Sequence, residues 1–123
     1  MTLNECIQRA DDLKPNGYSR HDKTIWISNL DMIVFNEIIA THKDAEIDSF
    51  GGYTDETEHS TVLLVPPPYD EVYLSYIAAQ IDAANNEFDL YNNDMIRFNE
   101  QFSRFRNEYN SRHMPYGVRF RYF

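Results

Sequence analysis

The sequence predicts a mainly α fold: a bundle of about four helices with a long C-terminal helix, a long acidic loop and an extended C-terminal tail. The first observation behind this is a heptad seam. Phe88, Tyr91, Met95, Phe98, Phe102, Phe105 and Tyr109 recur at alternating spacings of 3 and 4, which places them on one stripe of a helix over about 87 to 112. The second is a segment from about residue 22 to Thr41 whose apolar residues fall on two neighbouring helical stripes. The third is composition. The chain has 123 residues, 42% of them hydrophobic, with four Gly and five Pro, enough for one ordered core and too short for a separate catalytic module beside it.

Taken in order, Thr2 is placed to cap a first helix whose apolar positions are Leu3, Cys6, Ile7, Ala10 and Leu13; Pro15, Asn16 and Gly17 end it. Ser19 or Asp22 caps the second helix, whose stripes are Trp26, Leu30, Ile33, Val34, Ile38 and, beside them, Ile25, Met32, Phe35, Ile39. An amphipathic helix needs one apolar face, so the second stripe, Ile25, Met32, Phe35 and Ile39, is expected to form an interface between subunits. From Lys43 to Ser60 the chain is acidic and turn-rich, and the loop from Asp44 to Glu58 is expected to order only against a neighbour. Thr61 to Val65 (TVLLV) reads as one hairpin arm. Pro66, Pro67 and Pro68 precede a third helix opened by Asp70 and Glu71, with Tyr73, Ile77, Ile81 and Ala84 on its inner face and a break at Asn85 and Asn86. The aromatic seam then suits packing within the domain better than a dimeric coiled coil, which prefers Leu and β-branched residues. Pro115 ends the last helix, dividing a domain over 1–113 from a basic aromatic tail over 114–123.

Charge narrows the function. Of 20 acids and 11 bases, residues 1–96 hold 18 acids and 5 bases (net −13), and residues 97–123 hold 2 acids and 6 bases (net +4). The first part repels polyanions, which argues against nucleic-acid binding through phosphate neutralisation. The tail Arg119, Phe120, Arg121, Tyr122, Phe123 alternates basic and aromatic residues; this pattern fits docking on an acidic protein groove or sheet edge. Folding back as an edge strand on residues 61–65 is its other reading. Neither a basic-plus-apolar leader nor a run of about 20 apolar residues is present, so the expectation is a soluble chain without membrane contact.

Catalytic patterns are weak throughout. Cys6 sits on the apolar face of the first helix, and as the only cysteine it forms no intrachain disulfide and suits a reducing cytoplasm. His21, His42, His59 and His113 have no metal-binding spacing. Asp44, Glu46 and Asp48 open like a calcium loop, but Ser49 stands where the turn glycine belongs and Asp55 where the bidentate Glu belongs. Gly51-Gly52 lacks the setting of a phosphate loop. On the second helix, Asp31, Asn36 and Glu37 replace the basic set of a DNA-reading face. No catalytic residue, cofactor or metal is expected.

The stretch Val65 to Asp82 (VPPPYDEVYLSYIAAQID), followed by Asn85-Asn86-Glu87-Phe88 and Tyr91-Asn92-Asn93, with Leu13 to Asn16 and Arg112 to Pro115, resembles small proteins encoded among the head and tail genes of phages that infect Gram-positive bacteria. Proteins of this kind are head-tail adaptors, also called connector or head-completion proteins. The resemblance implies a non-enzymatic helical subunit that forms a homo-oligomeric ring between the portal protein and a tail-side head-completion protein. DNA passes through such a ring without specific binding, and the subunit resides in the virion, with host cytoplasm as its site of assembly. Two other classes are compatible with the residues: an acidic helical regulator or inhibitor of a host protein, and, further off, a small metal-dependent hydrolase using carboxylates of the 44–58 loop.

Overall fold

The computed structural model describes residues 1–42 and 47–112. It contains four α-helices: α1 (Leu3–Leu13), α2 (Arg20–Glu37), α3 (Val72–Ala84) and α4 (Phe88–Arg112), with short 3-10 turns at Ile39–Thr41 and Tyr69–Glu71. The mainly helical bundle with a long final helix is therefore observed. The tail, the boundary at residue 113 and the 43–46 part of the acidic loop lie outside the described residues.

Local chemistry accounts for the helix starts. Thr2 and Glu5 form a capping box on α1: the Glu5 N–H donates to Thr2 Oγ1 (3.1 Å) and the Thr2 N–H to Glu5 Oε1 (3.4 Å). Ser19, rather than Asp22, caps α2, accepting the Asp22 N–H on its hydroxyl. Asn86 takes a positive φ of 60° in the turn between α3 and α4. This left-handed conformation is one that Asn tolerates better than most residues, and it breaks the two helices where expected.

The core gathers Leu3, Cys6, Ile7 and Ala10 from α1, Ile27, Leu30 and Val34 from α2, Tyr73, Ile77 and Ile81 from α3, and Phe98, Phe102, Phe105 and Tyr109 from α4. Aromatic contacts run down α4: Tyr76 meets Phe98 at a centroid distance of 5.3 Å, Phe98 meets Phe102 at 5.4 Å, and Phe105 meets Tyr109 at 5.9 Å. The seam is only partly core. Phe88 is 61% exposed, and Tyr91 and Met95 are half-buried. Leu13 and Ala84 are likewise exposed at helix ends instead of buried.

One polar group lies at the centre. Asp31 of α2 is fully buried, although the sequence places it on an exposed face. Its carboxylate accepts the hydroxyls of Tyr73 (2.6 Å) and Tyr53 (2.5 Å) and the N–H of Leu64 (3.1 Å). The Tyr73 hydroxyl accepts the Val65 N–H in turn (2.7 Å). This network explains why Thr61 to Val65 is not a hairpin arm. Its donors go to Asp31, to Tyr73 and, from Leu63, to the Met1 carbonyl (3.0 Å), while the Leu3 N–H donates to the Thr61 carbonyl (2.8 Å). Among the described residues no strand forms, and Thr2 pairs with Val62 only as an isolated antiparallel bridge.

The described part of the acidic loop is also anchored on its own chain instead of waiting for a neighbour. The Tyr53 N–H donates to Ser28 Oγ of α2 (2.9 Å). Gly52 passes so close, at φ +85°, that a Cβ there would stand 2.6 Å from that oxygen. Phe50 then packs edge-on against Phe35 and Tyr53.

The packing of α4 has a direct test: Phe102→Ala should cost about 3 to 5 kcal/mol in urea unfolding. A loss below about 1 kcal/mol would show that the ring is not packed in the isolated chain.

Candidate functional site

The core line of α2 is Ile27, Asp31, Val34 and Ile38, a run at spacings of 4, 3 and 4. Ile25 and Ile33 lie away from it, 41% and 39% exposed, with Met32 half-buried beside them. Of the four residues expected at a subunit interface, then, Ile25 and Met32 are at least partly accessible and Phe35 and Ile39 are each only 6% exposed. The reason is the loop that the sequence left loose: Phe50 and Tyr53 fold over Phe35, and Ile39 joins the core with Leu63, Phe105 and Tyr109. Ile33, assigned to the inner stripe by its spacing, takes their place on the accessible face.

This face lies between two ends of different charge. At the start of α2, His21 Nδ1 meets Asp55 (2.8 Å), which brings the 54–58 turn, with Asp55, Glu56 and Glu58 all exposed, beside Asp22. Asp55 raises the His21 pKa through that hydrogen bond and its charge. At the other end, about 27 Å away for an 18-residue helix, His42 is buried against the end of α4. Its Nε2 meets Asn110 Oδ1 (2.9 Å) and its ring stacks edge-on to Tyr109 at 4.7 Å. Toward this end α4 carries the exposed Arg104, Arg106 and Arg112, and α2 ends on the exposed Glu37. Arg112 pairs with Glu108 (2.8 Å) and Arg106 lies 5.0 Å over the Phe102 ring, while no ion pair holds Arg104 among the described residues.

Beside this end runs a groove of about 250 Å³ lined by Val62, Leu64, Pro66 and Phe105. Val62 is 69% exposed on its rim. The five tail residues expected to bind a partner, Arg119, Phe120, Arg121, Tyr122 and Phe123, lie outside the described residues.

The remaining candidate residues gather no chemistry. Cys6 is fully buried, and burial, with Asp31 nearby, pushes its thiol up to about 12, far from a reactive thiolate. Among the described residues no group of three His, Cys, Asp or Glu side chains is arranged to hold a metal ion. Asp48 and Asp55 are exposed and well apart in function, the latter engaged by His21; Asp44 and Glu46 lie outside the described residues. Burial raises the pKa of Asp31, and the donors from Tyr53, Tyr73 and Leu64 oppose that rise. Every one of those donors belongs to the fold itself, so the network has a structural role. No helix among the described residues is long and apolar enough to cross a membrane.

Compared with protein-family models, with curated proteins and with solved structures, the chain finds no match.

The burial of Cys6 is checked by thiol labelling. In the native protein a neutral aromatic disulfide reagent should react with Cys6 only at the rate of unfolding, and at once in denaturant. Rapid labelling of the native chain would contradict the packing of α1.

Proposed function

We propose that this chain is a non-enzymatic assembly subunit, a head-tail adaptor of a long-tailed double-stranded DNA phage. In this reading it forms a ring with copies of itself between the portal protein and a tail-side head-completion protein. The observation that carries the proposal is the accessible Ile25–Met32–Ile33 face of α2, set between an acidic end and an end rich in arginine.

A closed ring of identical subunits is built from heterologous contacts, in which one surface of each copy meets a different surface of the next. Opposite charges at two ends let the acidic end of one copy meet the basic end of the next. Exposed isoleucines within that span supply apolar area to bury on assembly. The excess of 18 acids over 5 bases in residues 1–96 suits a wall past which DNA slides, since it lacks the cation clusters whose counterion release drives binding. The basic aromatic sequence Arg119 to Phe123 supplies a docking element toward an acidic partner. This role belongs to the virion, after assembly in the host cytoplasm, and calls for no membrane.

The test is co-expression with a portal protein of the same genome, read by native mass spectrometry and electron microscopy. The wild-type chain should appear as a ring on the portal. Ile25→Asp with Ile33→Asp should keep the helical circular dichroism spectrum and lose the ring. A double variant that assembles undiminished would remove the α2 face from the interface. Absence of the wild-type chain from purified virions would overturn the adaptor reading.

A further inference from the structure

The hairpin of α3 and α4 holds two acids against each other. Asp82 of α3 is fully buried and Asp94 of α4 is 8% exposed, and both carboxyl groups converge on one cation, with Lys14 Nζ 2.5 Å from Asp82 Oδ2 and 4.0 Å from Asp94 Oδ2. Asp94 Oδ2 is buried and has no hydrogen-bond partner, an environment that favours the protonated acid over the carboxylate.

The charged groups around the pair come from every element packed on it. From the end of α1, Lys14 Nζ donates to both oxygens of Asp82 (2.5 Å each) and lies 4.0 Å from Asp94 Oδ2. From α4 itself, the Arg97 guanidinium lies 3.9 Å from Asp94 Oδ1, but its side chain is 61% exposed. Glu71, at the far end of the same groove of about 320 Å³, is taken up by Arg9 (2.8 Å). Asp11 is likewise taken up by Lys23 (2.6 Å).

We propose that Asp82 and Asp94 form a proton-operated latch between α3 and the first half of α4, closed when one of the two acids carries a proton and loosened when both are charged. Two buried carboxylates gathered on a single ammonium repel once both ionise, and Lys14 neutralises only one of them. The segment that the latch holds is the part of α4 with the least apolar anchorage. Before Phe98 it exposes Phe88, Leu90 and Ile96 to solvent, while Tyr91 and Met95 are half-buried. The Asn85–Glu87 turn, tied by the Glu87 N–H to the Asp82 carbonyl (2.8 Å), is where the two helices pivot.

The titration follows from this geometry. Burial raises the Asp94 pKa to about 6, with the neighbouring Asp82 adding to the rise and Lys14 and Arg97 opposing it. Asp82 is also raised by burial, but its neighbour Asp94 and the Lys14 ammonium more than offset this, and its net shift is downward. A raised acid stabilises the fold fully below its unfolded pKa of 3.8, and this contribution fades as pH rises through about 6. A lowered acid contributes above its unfolded value and is lost as pH falls through its folded one. The latch is therefore tightest between about pH 4 and 6 and loosens toward neutral pH.

The experiment is a carbon-13 titration of the aspartate carboxyl groups in the intact chain, paired with urea unfolding at pH 5 and 7.5 for the wild type and for Asp94→Asn. Asp94 should titrate near 6, holding its proton about 100-fold more tightly than an ordinary aspartate. The wild-type urea midpoint should fall from pH 5 to 7.5, whereas Asp94→Asn should show a smaller change and be at least as stable as the wild type at pH 7.5. Titration of Asp94 in the ordinary range near 4 would overturn the proposal, as would equal pH dependence in the two proteins. If Asp94→Asn does not fold, the wild-type titration decides alone.

Discussion

The structure depends on the buried carboxylate of Asp31. Removing a charge from water is costly, and the cost is met only when donors replace the lost hydration. Here the donors come from three separate parts of the chain: Tyr53 in the acidic loop, Leu64 in the segment before the prolines, and Tyr73 on α3. Each bond fixes an element to α2, and Tyr73 extends the network to the Val65 N–H. The order of the bundle follows from this. The 61–65 segment is tied to the start of α1, the loop is laid over Phe35, and α3 is placed so that Tyr76 meets Phe98 in the aromatic seam of α4. A leucine at position 31 would bury as well but would leave two hydroxyls and an amide in search of acceptors.

Much of this architecture was legible wherever local chemistry and period agreed. The capping box of Thr2 and Glu5, the stop at Pro15 to Gly17 and the seam from Phe98 to Tyr109 all depend on residues near one another in sequence. Features that rest on distant partners were hidden. Asp31 reads as a surface residue because nothing local announces Tyr53 or Tyr73, yet its position, four after Ile27 and three before Val34, is the signal that would have placed it inside. Ile27 itself was passed over for the same reason, since a charged residue interrupts the core line. The loop looked unanchored because Ser28, whose hydroxyl receives the Tyr53 N–H, carries no mark of that role. Asp82 and Asp94 were missed because they meet only when the Asn85–Glu87 turn folds α4 back along α3.

The polar interior and the apolar exterior have a common origin. Because Asp31 and its partners draw the loop across Phe35 and bring Leu63 into the core beside Ile39, the accessible apolar part of α2 narrows to Ile25, Met32 and Ile33. On α2, burial thus confines the accessible apolar surface to a stripe that starts at an acidic end, through Asp22 and the 55–58 turn, and runs toward the arginines of the end of α4. Directional surfaces of this kind fit the proposed ring assembly. Under the proposed assembly, a change that releases the loop would also change which residues of α2 meet a neighbour.

The most direct measurement of the central role of Asp31 is the unfolding free energy of Asp31→Ala in urea, with the helical circular dichroism signal as the readout. Because the substitution leaves the Tyr53 and Tyr73 hydroxyls and the Leu64 N–H without their acceptor, each at a cost of about 1 to 3 kcal/mol, the account predicts a loss above about 3 kcal/mol. A loss below about 1 kcal/mol would contradict it.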